Sequence, residues 1–192
     1  MKDKNMKKSK TNWSTGRILV VGAIILVVSS GGYWFFNQNP NKGNYAANIA
    51  GVLYNSPIIA LNKVSLPTET LKTDKLVFMD IKLDTPQQQL TYKGRVIPLA
   101  AYRGGAYLPI VAIYTPQGNV VSGIRVCEPC GSFSFHIIDG KYLRCDLCGT
   151  LWELETLKGV SGGCTSYPPP RLPSTLTDTA SIDLSSVGLR LA

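Results

Sequence analysis

The chain holds 192 residues, room for one domain of ordinary size with appendages, and carries 20 basic against 12 acidic side chains for a net charge of +8. The excess is local. Lys2, Lys4, Lys7, Lys8, Lys10 and Arg17 face only Asp3 in residues 1–17, which leaves 14 basic and 11 acidic side chains for the rest. A nucleic-acid-binding domain needs its basic residues clustered on the folded part, so this distribution excludes that partner class.

After the basic tail, residues 18–36 read ILVVGAIILVVSSGGYWFF without a charge. At about 1.5 Å per residue such a helix crosses roughly 30 Å of hydrocarbon. Trp13 precedes the run and Tyr33 and Trp34 close it; such amphipathic rings suit the headgroup layer. A buried amphipathic helix would show a polar face, and this run has none. The rival reading is a cleaved signal peptide, because small residues, Ser29 to Gly32, follow the apolar stretch. The long basic region before it and the aromatic group after it favour an uncleaved anchor. Basic residues stay on the cytoplasmic side, so the expectation is a single-pass membrane protein with its C-terminal part extracytoplasmic.

Residues 37–75 begin as an Asn- and Gly-rich tether and continue as an irregular segment with room for one strand or short helix. From Leu76 the pattern turns to β. Val77, Met79, Ile81 and Leu83 alternate with Asp80 and Lys82, the period of a half-buried strand. Arg95 to Tyr102 is a second candidate. Tyr107 to Tyr114 is apolar throughout, as a strand covered on both faces would be. Thr115-Pro116-Gln117-Gly118-Asn119 turns the chain back into Val120 to Val126. Phe133 to Ile138 and Lys141 to Arg144 flank Asp139-Gly140, a pair suited to a type I′ turn. Leu151 to Leu154 is a last short strand. Residues 76–173 therefore read as a cysteine-rich β domain, and the Ser/Thr-rich residues 174–192 as a flexible tail.

All five cysteines lie between Cys127 and Cys164. Cys127, Cys130, Cys145 and Cys148 form two Cys-x-x-Cys pairs, each followed by a glycine that allows a tight knuckle. Simple pairing about Asp139-Gly140 would leave Cys130 overhanging Cys145 by about four residues, roughly 13 Å. Gly131-Ser132 can bend that surplus back and bring the pairs together. Four thiolates so placed suit zinc or an iron–sulfur centre, and an extracytoplasmic compartment also allows disulfides. The glycines before Cys164 let backbone approach the same site. His136 stands in mid-strand without ligand spacing and reads as a half-buried strand residue. No nucleophile triad, phosphate loop or paired carboxylate supports hydrolytic chemistry.

Cys145-Asp146-Leu147-Cys148-Gly149-Thr150-Leu151-Trp152, with Gly159 and a proline run beyond, resembles the second ligand box of Rieske domains, except that a cysteine stands where they have histidine. A Rieske centre needs two histidines and this chain has one. The longer order is more specific. A strand ending in Cys127-x-x-Cys130, then Cys145-x-x-Cys148-Gly149, then Gly162-Gly163-Cys164 and Pro173, resembles the FtrD-like membrane iron–sulfur-containing proteins. The resemblance covers about residues 76–173. It implies a small antiparallel β domain, Rieske-like with rubredoxin-type knuckles; many members of the family carry several membrane spans, whereas here the domain follows the single N-terminal transmembrane helix read from residues 18–36. It implies an iron–sulfur cluster on Cys127, Cys130, Cys145 and Cys148, shielded by Trp152 and the Cys164 loop. The implied role is electron transfer with a membrane redox partner or iron permease, in support of iron uptake. Zinc in a structural interaction module remains the alternative, and an exported chain without a twin-arginine signal suits it. A thiol–disulfide exchanger is a third reading, weakened because such pairs act best at a helix N-terminus.

Overall fold

Sixteen short strands and one seven-residue helix build residues 45–192, the part of the chain that the computed structural model describes. The basic tail and the apolar span lie outside the described residues. Among those described, no helix is long and apolar enough to cross a membrane. In chain order the elements are β1 (Asn48–Ala50), β2 (Val52–Leu53), β3 (Ile58–Ala60), β4 (Lys63–Pro67), α1 (Thr68–Asp74) and β5 (Leu76–Lys82). The hairpin β6 (Leu90–Tyr92) and β7 (Arg95–Ile97) precedes β8 (Tyr107–Tyr114) and β9 (Val120–Ile124). Then come β10 (Phe135–Ile138), β11 (Tyr142–Cys145), β12 (Leu151–Glu153), β13 (Gly159–Ser161), β14 (Arg171–Leu172), β15 (Ser174–Leu176) and β16 (Thr179–Asp183).

The central sheet runs β14-β9-β8-β5-β2, antiparallel except for the β2–β5 pair. Its two faces carry different cores, and the alternation along β5 and β8 decides which residue serves which. Val77, Met79, Ile81, Leu108, Ile110 and Ala112 enter one cluster with α1 and the sheet β15-β16-β4-β3. Leu76, Phe78, Val111 and Ile113 enter a second cluster with the sheet β1-β10-β11-β12-β13. The expectation of a β8 strand buried on both faces therefore holds. So do the hairpin turn at Thr115–Asn119 and the Asp139-Gly140 turn, where both residues have positive φ.

Three expectations are corrected. Residues 48–67, read as tether and irregular segment, hold four strands, and β1 pairs with β10. Each is two to five residues long, too short for a period to show. Arg95 to Tyr102 is a strand only to Ile97, after which Pro98 removes a donor and a 3-10 turn follows. Residues 174–192 are not loose. β16 pairs with β4 over five positions, and Ala180, Ile182, Leu184 and Val187 are buried.

Candidate metal centre

The two Cys-x-x-Cys pairs fold into knuckles with the same backbone pattern. In the first, the Cys127 N–H donates to Ser132 O at 2.9 Å and the Gly131 N–H to Cys127 O at 2.9 Å. In the second, the Cys145 N–H donates to Thr150 O at 3.0 Å and the Gly149 N–H to Cys145 O at 3.0 Å. Gly131 and Gly149 both take φ +71°, a left-handed conformation that a side chain resists. The first knuckle leaves β9 and the second leaves β11, and Phe135 opposite Cys145 sets the β10–β11 register between them. Gly131 and Ser132 thus absorb the surplus residues of the first arm.

The knuckles meet crosswise. Cys127 Sγ lies 4.0 Å from Cys148 Sγ, and Cys130 Sγ lies 3.6 Å from Cys145 Sγ. The Cys164 loop closes over them. The sulfurs of Cys127, Cys130, Cys148 and Cys164 all stand within 4.8 Å of one another. Four thiolates about one tetrahedral ion at about 2.3 Å would be spaced about 3.8 Å apart, so the cage has the dimensions of a small soft-metal site. Cys145, expected among the ligands, sits beside Cys130 outside that mutual group, whereas Cys164, expected as cover, stands inside it. The donor set is entirely sulfur, which fits zinc or iron and disfavours hard oxygen-seeking cations.

Thr150 carries no signature of its own in the sequence, yet it is fully buried at the centre of the site. Its Oγ1 accepts the Cys164 N–H at 3.1 Å and lies 3.3 Å from Cys148 Sγ. Gly162, at φ +103°, presses so closely on Thr150 that a β-carbon there would stand 2.6 Å from Oγ1. Trp152 is also fully buried, 6.3 Å from the Phe135 ring, and its Nε1–H donates to Thr165 O at 3.1 Å on the Cys164 loop. It shares one apolar cluster with Cys127, Cys145 and Cys164.

Charge around the first knuckle is paired. Glu128, inside the first Cys-x-x-Cys, forms an ion pair with Arg95, whose Nη1 also donates to Pro168 O at 2.7 Å. Arg125 donates to Asp80 at 2.6 Å and to Phe133 O at 2.9 Å, and lies 4.5 Å over the Phe78 ring. His136 is half-buried on β10, contacts the Asp146 carboxylate, and stands outside the sulfur group.

The thiols differ in acidity. Burial pushes Cys127 far up, with Cys130 and Cys145 adding to it, and burial pushes Cys130 up to about 11. Burial raises Cys148 too, but the Thr150 hydroxyl and amide, then Cys145 and Cys130, outweigh it and bring that thiol down to about 6. Cys148 is therefore the first to present the thiolate that a metal requires.

Residues 93–188, which include all five cysteines, match the family of FtrD-like, membrane iron–sulfur containing proteins. No curated protein and no solved structure matches the chain.

Proposed function

The chain belongs to the FtrD-like family of membrane iron–sulfur containing proteins, and from that premise we propose that it is a membrane-anchored electron-transfer protein whose iron is held by cysteine. The observation that carries this reading is the all-sulfur group within 4.8 Å, built on two like knuckles. Cys127, Cys130, Cys148 and Cys164 are the donors, with Cys145 adjoining Cys130. The bound centre would supply one-electron transfer. A thiolate-only shell holds a lower reduction potential than the histidine-bearing Rieske set. Trp152 and Phe135 keep water from the buried side, while half-buried Cys130 and Cys148 leave the outer side within reach of a redox partner. The apolar span 18–36 is the anchor, the domain is a Rieske-like one with rubredoxin-type knuckles, and the partner is a membrane redox protein or iron permease serving iron uptake.

The test is anaerobic purification followed by iron and acid-labile sulfide analysis, an absorption spectrum and electron paramagnetic resonance on reduction. Iron with visible thiolate-to-metal absorption supports the reading. A colourless protein with one zinc per chain overturns it. The spacing of the four sulfurs also favours a second reading, a structural zinc module, because a single tetrahedral ion fits it directly. In that case chelation unfolds the domain without any redox signal.

A further inference from the structure

Five of the nine large apolar side chains that stand exposed among the described residues fall between Val52 and Leu61. Their strands are edges. β2 ends the central sheet and β3 ends the four-stranded one. β3 and β4 form a hairpin whose turn is Leu61-Asn62, flanked by the Ala60–Lys63 pair. Both turn residues have positive φ, 48° and 61°, the type I′ conformation that asparagine and glycine suit and leucine does not. Leu61 is nevertheless 95% exposed, and Ile58, two residues before β3 ends, is 62% exposed. The turn itself is fastened to the fold, because Asn62 O accepts the Leu184 N–H at 2.8 Å. A strained, branched apolar residue thus crowns a rigid hairpin with nothing packed on it.

The chain upstream limits what can cover this tip. Residues 37–44 separate the apolar span from the first described residue, Tyr45. Eight extended residues reach at most roughly 30 Å, less than the width of about 40 Å expected for a domain of this size. A domain on so short a tether meets the bilayer surface at high effective concentration, and apolar side chains favour the boundary between headgroups and acyl chains. We propose that the β3–β4 tip, Leu61 with Ile58 and Ile59, inserts into the headgroup layer of the membrane that carries the anchor. The domain is then docked on the lipid in a preferred orientation and not merely tethered to it. This rests on the anchoring reading above, and the experiment separates the two.

The full chain, reconstituted in nanodiscs of phosphatidylcholine and phosphatidylglycerol, carries p-benzoylphenylalanine in place of Leu61, of Leu26 inside the apolar span, or of Val160, exposed on β13. Irradiation and mass spectrometry then identify what each position touches. Leu61 packs on nothing, so its replacement leaves the fold intact. The expected result is a phospholipid adduct at positions 61 and 26, several-fold above that at 160. An adduct at 26 with none at 61, or equal adducts at 61 and 160, overturns docking and leaves the anchor standing. An adduct of twice the chain mass at 61 overturns it in favour of a second copy on the open β3 edge. Absence of lipid at 26 overturns the anchor instead, whatever position 61 shows.

Discussion

The Cys164 N–H donates to Thr150 Oγ1 at 3.1 Å, and the same oxygen stands 3.3 Å from Cys148 Sγ. One hydroxyl thereby joins the third cysteine loop to the second knuckle. It also lowers the thiol it faces, against the effect of burial. Replacing it by a methyl group of the same shape leaves the Cys164 amide buried and unpaired, a loss of about 1–3 kcal/mol.

Thr150→Val should raise the Cys148 thiol from about 6. In the reduced, metal-stripped protein, iodoacetamide labelling of Cys148 should show its midpoint near that pH, and the variant should shift it upward. The same shifts set the stability of the metal-free fold. Cys148 lies below its ordinary 9.0, so its contribution is complete above 9.0 and is lost as pH falls towards about 6. Cys127 and Cys130 are raised, so theirs is present below 9.0 and is lost as pH climbs, for Cys130 towards about 11. Urea midpoints should peak near pH 9 and fall on both sides; a monotonic profile would contradict this balance.

Cys164 and Cys145 make opposite claims on the fourth ligand position. The mutual 4.8 Å group includes Cys164 and omits Cys145. Cys164→Ser should therefore lower metal content per chain more than Cys145→Ser, measured by elemental analysis after purification under one protocol. Equal loss in both would mean that five thiols share the site; greater loss in Cys145→Ser would return the fourth place to the second knuckle.

The strands Leu76–Lys82, Tyr107–Tyr114 and Val120–Ile124 were legible because burial on one or both faces leaves an alternating or continuous apolar text, whereas the three-residue strands Leu90–Tyr92 and Arg95–Ile97 are too short to show one. The cysteine pairs were legible because knuckle spacing is chemistry written into the chain, and their convergence followed from counting residues on either side of Asp139-Gly140. Thr150 was not legible. A threonine after Cys-x-x-Cys-Gly has no signature until the Cys164 loop folds onto it. The tail misled for a different reason. Ala180, Ile182 and Leu184 alternate as a strand should, but their neighbours Ser181 and Asp183 gave the segment the composition of a loose end. β1 to β4 misled by brevity, since their stability comes from partners far along the chain, such as β10 for β1 and β16 for β4.

Trp152 is expected to govern access more than assembly. Trp152→Phe keeps an aromatic filler against Phe135 but deletes the Nε1–H bond to Thr165 O, which fastens the Cys164 loop. The change should cost about 1–3 kcal/mol. Metal content at equilibrium should stay near that of the wild type, while release to an excess of chelator should accelerate. Unchanged release would show that the Thr150 bond and the β12–β13 pairing hold the loop without the indole.

Asp80 is the carboxylate on which the approach to the first knuckle depends. Arg125, two residues before Cys127, is buried with Asp80, each side chain being 7% exposed. Tyr102 Oη–H donates to Asp80 at 2.8 Å, and Arg103 adds a second, half-exposed guanidinium at 3.2 Å. Asp80→Asn removes the only carboxylate that these described interactions give Arg125 and leaves a buried cation uncompensated, which typically costs about 3–5 kcal/mol. Tyr102→Phe deletes two hydrogen bonds from the same network, the one its hydroxyl donates to Asp80 and the one it accepts from Arg125 Nη2 at 2.7 Å, but leaves the charges balanced, so its cost should be about 1–3 kcal/mol. Arg125 also holds Phe133 O, just beyond the first knuckle, so the larger loss should carry metal affinity down with it. Chemical denaturation of the metal-loaded protein, read beside its metal content, should rank wild type, Tyr102→Phe and Asp80→Asn in that order. A double variant, Asp80→Asn with Arg125→Met, should regain part of the loss because the stranded charge is gone. If the double variant were weaker than Asp80→Asn alone, the stacking of Arg125 on Phe78 would stabilise the fold more than the ion pair does.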